Sequence, residues 1–533
     1  MEITALGHAG FLVESGEVVL VADPWLSPEG AFDSGWMQLP RNHQLAPMVR
    51  EKLSTDARQK FIYISHEHRD HFDPEFIASL PTRDVTVILG RFGRSALKDA
   101  IAALGFERIV VLDDGGKLPL PGGYARVWTV DQGVNRDSAL LVRLGQYSFL
   151  DLNDCKIHDR LEQLVREEGR IDVFTAQFSG AIWHPTSYQY PRKTYEAISR
   201  RKLFSKFEAV ARAIETLRPR RYLASAGPVA FLDPDLLHIN FESVNIFPRA
   251  PRLFQYLSGR LKEATPTLGE PAPGDVLHVA TDELEARGTE RVTDETFEAY
   301  IHQYARDMSP IFEARRRTLS RDELLRRFEQ LRAILQAKLD ALTVSDRVLF
   351  PLYVAFRELP QRILRVDFAG RAIEEVPAID TERAYVFIAS AGDLVPVLER
   401  KMGWEEFLLS CRQQMRRTPD LYDAILHGYL ALELEDLPSF CEQIRAAEAQ
   451  KQRVEIEAGG RRYSIRRFCP HQGADLSQGW IQDNRYLVCP RHRWMFDLED
   501  GGRCRANSVT CEALELPRRD ELQLEAAEPV DSK

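Results

Sequence analysis

The stretch "FIYISHEHRDHFD", residues 61–73, decides how the first half of the chain is read. Its apolar run, Phe61 to Ile64, has the length and composition of a buried strand. The run stops abruptly at His66, His68, Asp70 and His71, in the pattern H-x-H-x-D-H. Four metal-capable side chains thus fall within six residues. In extended backbone alternate side chains share a face, so His66 and His68 point the same way. Asp70 and His71 then turn away to face a second position. Imidazole together with carboxylate suits zinc, iron or manganese, so the expectation is a metal site at the end of a strand.

Outward from this stretch, residues 1–250 alternate apolar runs ("VVLVADPW", "VTVILG", "RIVVLDD", "ALLVRLG", "YSFLDLND") with loops and helical patterns. That alternation predicts a layered α/β domain with many strands. Residues 193–218 place Tyr195, Ile198, Phe204, Phe207, Ala211, Ile214 and Leu217 at helical spacing. The stretch "TPTLGEPAPGD", 265–275, is rich in Pro and Gly and reads as a linker or domain edge. A mainly helical, charged region follows, with strand-like interruptions at "RILRVDFAG" and "RAYVFIAS". From about 451 short strands and turns return. The expected organisation is multidomain: 1–250 with the first metal site, a mainly helical α+β middle region 251–450, and an all-β domain 451–533.

Composition agrees and narrows the function. A chain of 533 residues is too long for one core, so two to four domains are expected. With 44% hydrophobic and 28% charged residues it reads as an ordinary globular protein. A formal net charge of −10 argues against a general nucleic-acid binder. No apolar run reaches the length of a membrane span, and the start, "MEITALGHAGFLVE", shows no signal-peptide pattern. The seven cysteines are scattered in a cytosolic manner, so a cytoplasmic protein is expected.

The last four cysteines open a second constellation. "CPHQGADLSQGWIQDNRYLVCPRHRWMFD", 469–497, contains Cys469-x-His471 and Cys489-x-x-His492. Two thiolates and two imidazoles could hold zinc. The spacing is instead that of a Rieske [2Fe–2S] cluster, with two thiolates on one iron and two imidazoles on the other. Gly501 and Gly502 are candidates for a third loop over the cluster. The high-potential respiratory type adds a cysteine to each ligand loop; Ala474 and Arg491 stand at those places here, so the oxygenase type is expected. Cys504 and Cys511 are expected to be buried free thiols.

The H-x-H-x-D-H motif resembles the signature of the metallo-β-lactamase fold over about residues 1–250. "GHAGFLVE" at 7–14 and "LVADPWL" at 20–26 look like its first hairpin and its Asp-bearing strand end. The resemblance implies an αββα sandwich in which Asp154 bridges the metals and Asp23 orients a ligand loop. The fold usually adds a histidine before the "ALLVRL" strand and another after the last strand. Here those regions read "TVDQGVNRDSALLV", with Asp131, Asn135 and Asp137, and "RRYLASAGP". The expected ligands are therefore His66, His68, Asp70, His71 and Asp154, with His184 as a compensating ligand and His8 as a near-metal group.

A Rieske cluster transfers single electrons, and zinc has no accessible redox step. One chain carrying both sites suggests that the first metal is non-heme iron, mono- or dinuclear, with positions left open for O₂ and substrate. This combination is similar to the CMP-N-acetylneuraminate hydroxylases, which pair the same two domains. "LNDCKI" at 152–157, "AQFSGAIWHP" at 176–185, "RKTYEAISRRKLFSKFEAVARAIETLRPRRYLASAGP" at 192–228 and "RRTPDLYDAILHGYL" at 416–430 look like family segments. The animal enzymes carry the Rieske domain first; here it is last. The resemblance implies an O₂- and reductant-dependent monooxygenase acting on a polar, nucleotide-linked or otherwise anionic small molecule. No G-x-G-x-x-G follows a strand, so a ferredoxin or flavin reductase is the expected electron donor, docking at the edge of the cluster near His471 and His492. A homo-oligomer is compatible with electron transfer between chains. Two other classes stay open: a metal-dependent hydrolase with a redox-sensing Rieske domain, and an electron carrier with a degenerate first site. Arg200, Arg201, Lys202, Lys206 and Arg212 share the polar side of the 193–218 helix, most simply as a solvated face.

Overall fold

The computed structural model describes residues 1–507 and 509–517; the end of the expected C-terminal domain, 518–533, lies outside the described residues. The first unit is an αββα sandwich. One sheet has eight strands, in the order Glu283–Glu285, Val276–His278, Glu2–Gly7, Gly10–Ser15, Val18–Ala22, Gln59–Ile64, Thr86–Gly90, Ile109–Leu112. The other has seven, in the order Thr267–Gly269, Arg221–Ser225, Val173–Gln177, Tyr147–Asp151, Asn135–Leu144, Gly123–Gln132, Lys117–Leu120. Between them Phe11, Leu20, Phe61, Tyr63, Leu140 and Phe149 form a closed core. These strands carry buried residues on both faces, as central strands covered by helices do. Helices Ala46–Thr55, Pro74–Ala78 and Ala96–Ala103 cover the first sheet, and Leu161–Glu168, Arg192–Leu217 and Ala250–Leu261 cover the second.

One expectation changes here. The first unit does not end at 250. Strand Thr267–Gly269 pairs with Arg221–Ser225, and Val276–His278 pairs with Glu2–Gly7, so chain beyond 250 completes both sheets. The middle region is α+β as expected: its helices pack on a five-stranded sheet, Ala372–Val376, Ile363–Asp367, Leu352–Phe356, Ala384–Ala389, Gln414–Thr418. Leu352–Phe356 is buried along its whole length, so it lacks the alternation that announces a half-exposed strand.

The C-terminal unit consists of two small antiparallel sheets, Arg453–Ala458, Arg461–Arg466, Leu514–Leu516 and Trp480–Gln482, Tyr486–Val488, Met495–Asp497, Arg503–Cys504. Cys504 and Cys511 are buried in its core as free thiols. This unit is fastened to the sandwich by side chains. Arg491 bonds Gln132 at 2.9 Å and Asp159 at 3.2 Å, Asn135 donates to Gln472 at 2.6 Å, and Arg212 lies over the Trp480 ring at 4.1 Å. Among the described residues no helix is long and apolar enough to cross a membrane.

Candidate metal centres

Strand Gln59–Ile64 runs parallel to Val18–Ala22 on one side and Thr86–Gly90 on the other, so neighbouring carboxyl ends come together at one rim. Asp23 leaves one end and Ser65 and His66 the other. The His68 carbonyl accepts from the N–H groups of His71 and Phe72, turning the chain back toward the rim. Asp73 fixes the exit: it caps the next helix through the Phe76 N–H at 2.8 Å and accepts from Leu26, Ser27 N–H and the Ser27 hydroxyl. His8, Asp23 and Asn153 around the rim have left-handed backbones, a conformation that costs roughly 1–3 kcal/mol per non-glycine residue. Strain of this kind persists where surrounding structure holds it.

The side chains converge as the motif requires. His66 Nε2 and His68 Nδ1 lie 2.9 Å apart. The other nitrogen of His66 is 2.9 Å from the Ser65 hydroxyl and 3.0 Å from Asp137 Oδ1. His71 Nδ1 meets Asp23 Oδ2 at 2.8 Å, and Asp23 also accepts from the Ser65 N–H and hydroxyl. That leaves His71 Nε2 facing Asp70 at 3.7 Å and Asp154 at 3.8 Å. His8 Nε2 lies 3.1 Å from Asp70, and ligand atoms of His8, Asp70 and His71 sit within 4.8 Å of one another. His71 Nε2, Asp70 Oδ1 and Asp154 Oδ1 are buried without a hydrogen-bond partner. A buried carboxylate without compensation costs several kcal/mol, so this donor set fits a cation.

Electrostatics point the same way. Burial pushes the Asp70 and Asp137 carboxyls up, but the surrounding histidines overcome it and hold both well below the usual range. Burial works against protonation of His71, yet Asp70, Asp23 and Asp154 raise it to about 10. His68 rises to about 9, against burial, through Glu405 and then Asp70 and Asp137. Without metal the carboxylates force protons onto the imidazoles; a cation takes the place of those protons.

The second centre is built by two loops of the same shape. Cys469 N–H donates to the Ala474 carbonyl and Gly473 N–H to Cys469; Cys489 N–H donates to Trp494 and Arg493 N–H to Cys489. The fifth residue of each loop is left-handed, Gly473 in one and Arg493 in the other. At Gly473 a Cβ would also meet Gln132 at 2.8 Å, which requires glycine. His471 and His492 rings face each other with centroids 4.8 Å apart, and His471 Nδ1 and both nitrogens of His492 are buried without partners. The Cys489 thiol is held below its ordinary range by its contact with Cys469 and then by the backbone N–H groups of His492 and Arg491. Unpartnered imidazole nitrogens beside a favoured thiolate fit a Cys₂His₂ iron–sulfur cluster. Arg491, at a place where the respiratory type has cysteine, bonds the Gln472 carbonyl at 2.9 Å and so spans the two loops.

Several expectations are corrected. His184 is not brought to the first centre: its Nε2 lies 3.0 Å from the Tyr190 hydroxyl and accepts from Arg417 at 3.1 Å, in a separate cluster. The histidine edge of the cluster is half-buried, with Tyr422 and Trp494 against the His471 ring at 5.6 and 5.4 Å. Gly501 and Gly502 make a left-handed turn against Cys511. The basic face of helix Arg192–Leu217 is split: Arg200 is exposed, while Lys202 donates to the His184 carbonyl and Lys206 to Gln177. Two participants went unassigned in the sequence. Asp137 precedes the "ALLVRL" strand, where a histidine was sought, and Glu405 belongs to the region without a readable motif.

Asp154, beside the first centre, and Arg493, next to His492 of the second, wall one small recess together with Lys156, His158, Gln177 and Lys206. Burial, then Lys156, push the Lys206 ammonium well below its ordinary range, and burial pushes Arg493 down to about 10. These cations crowd one another around the single carboxylate of Asp154.

Residues 429–516 match the Rieske [2Fe-2S] domain and residues 2–220 the Beta-lactamase superfamily domain. The chain therefore carries a β-lactamase-type domain first and a Rieske domain last, and the Rieske domain indicates a [2Fe–2S] cluster and electron transfer. A Rieske 2Fe-2S iron-sulfur protein of Mycobacterium tuberculosis (strain ATCC 25618 / H37Rv) is 29% identical over 522 residues, covering 95% of this chain and 98% of its own. Among solved structures, CmlA, a diiron beta-hydroxylase from Streptomyces venezuelae, is similar at 17% identity and a TM-score of 0.33, over 50% of this chain and 52% of that one. The isothiocyanate hydrolase from Delia radicum gut bacteria is similar at 14% identity and a TM-score of 0.34, over 52% and 98%.

Proposed function

We propose that the chain is an O₂- and reductant-dependent oxygenase, with non-heme iron in the N-terminal domain supplied with electrons by the Rieske cluster. The observation that carries this reading is the shared recess: Arg493, next to His492, and Asp154 of the first centre wall the same space. A hydrolase would have no use for an electron-transfer cluster packed beside its metal domain. In this reading Cys469, His471, Cys489 and His492 hold the [2Fe–2S] cluster. His8, Asp70 and His71, with Asp154 facing His71, would hold iron; His66 and His68 would add a pair of imidazoles, with Asp137 on the other nitrogen of His66. Iron there supplies O₂ activation.

The chain's own residues do the rest. Asp23 and Ser65 orient His71 so that Nε2 faces the carboxylates. Lys156 and Arg493, with Lys206 behind them, would favour an anionic group beside Asp154. Insertion of one oxygen atom of O₂ takes two external electrons, and a Rieske cluster holds one at a time, so a ferredoxin or flavin reductase refills it. The test supplies anionic candidate substrates, a reductant and ¹⁸O₂. Label from O₂ in the product supports the reading. Product formed equally well under nitrogen, or labelled only from water, restores the hydrolase.

A further inference from the structure

Between the centres lie side chains of the middle region that reach toward each of them. The His471 ring meets the Tyr422 ring at 5.6 Å, and Tyr422 meets the His427 ring at 5.1 Å. His427 stacks on Trp183 at 5.0 Å, with an interplanar angle of 7°, which fixes its plane. His427 and Glu405 act on each other electrostatically, and Glu405 Oε2 lies 3.6 Å from His68 Nε2. Tyr422 is held in place by the Rieske domain: its N–H donates to the Ala506 carbonyl at 3.1 Å. Asp423 caps the helix that carries His427. Burial holds the His427 imidazole down at about 4 against the pull of Glu405, so it is neutral.

We infer that Tyr422, His427 and Glu405 form the intrachain route by which electrons pass from the cluster at His471 to the iron at His68. This rests on the oxygenase reading and assigns a task to three side chains of the middle region. One electron is lost at the reduced cluster and one is gained at the N-terminal iron; the external donor replaces it. The three are positioning residues: none is a ligand to the cluster. The route also makes electron transfer between chains unnecessary.

The experiment uses the full holoprotein, oxidised and anaerobic, given one reducing equivalent per chain and followed by freeze-quench electron paramagnetic resonance. In the wild type the reduced-cluster signal should rise and then decay as the N-terminal iron is reduced. In Tyr422→Leu and in His427→Asn that decay should slow several-fold. The cluster's g values and midpoint potential should stay as in the wild type. Tyr422→Phe, which keeps the ring, should restore the wild-type rate. The double variant should be no slower than the slower single variant, because both interrupt one route. Variants that decay at the wild-type rate overturn the route alone. A wild-type signal that never decays overturns the oxygenase reading and the route with it. Should Tyr422→Leu fail to assemble its cluster, His427→Asn decides on the same criterion.

Discussion

The guanidinium of Arg491 and the carboxylate of Asp159 meet at 3.2 Å across the boundary between the Rieske domain and the sandwich, and both are nearly excluded from water. Arg491 bonds the Gln132 side chain and the Gln472 carbonyl at the same time. One residue therefore ties the two cluster loops to each other and to the neighbouring domain. Arg491→Met removes these bonds and leaves Asp159 buried and unpaired, a loss of about 3 kcal/mol or more. Denaturant unfolding of the holoprotein should show it. An unchanged midpoint would mean that the domains are held by other contacts.

Asp23 bonds the nitrogen of His71 that points away from the carboxylates, and it also holds Ser65. Asp23→Asn should weaken metal retention at the N-terminal site by roughly 10- to 100-fold. Iron left after dialysis against a chelator measures it, with the Rieske spectrum as internal control. Loss of both centres together would show unfolding instead.

Asp137 takes part where a histidine was expected. Asp137→Ala removes the carboxylate that orients His66 and should weaken iron retention at His66 and His68 while leaving the Rieske iron in place. Full iron content in this variant would mean that Asp137 does not position His66.

Metal loading should depend on pH through His71. Its imidazole is near 10 in the metal-free fold, against burial, because Asp70, Asp23 and Asp154 surround it; unfolded, it titrates near 6.5. The proton it gains stabilises the metal-free fold fully below about 6.5 and is lost as pH rises through 10. Metal must displace that proton, so apparent affinity should climb by up to about tenfold per pH unit across the neutral range. Competition titrations at several pH values test the slope. A flat profile would mean that His71 gives up no proton on metal binding.

Arg493 keeps a left-handed backbone where the matching residue of the other loop is glycine. Arg493→Gly relieves that strain, worth about 1 kcal/mol, and removes a buried cation. The variant should be at least as stable as the wild type and should lose substrate turnover. A clear loss of stability would assign Arg493 a packing role rather than one in the recess.

Much of this was legible from short patterns, for identifiable reasons. H-x-H-x-D-H directly after a buried strand constrains geometry, because the strand fixes where its end points. Cys469-x-His471 and Cys489-x-x-His492 each close a tight loop, so spacing alone carries the shape. Asp137 escaped because its meaning depends on a strand pairing that brings it to His66 from 71 residues away. Glu405 and His427 escaped because a lone acid and a lone histidine in an apolar helical region look like any others. His184 misled through sequence proximity to motif-like residues, while Arg417, far along the chain, claims it. Two strands of the middle sheet, Ile363–Asp367 and Ala384–Ala389, were legible as strand-like runs; Leu352–Phe356 was not, because it is buried on both faces and apolar runs of that length suit a helix as well.

Metal analysis of the purified, iron-replete protein tests the central claim most directly. A redox-active N-terminal site requires about three or four irons per chain, two of them in the Rieske cluster, and no zinc. About two irons per chain, with or without zinc in the N-terminal site, would contradict it.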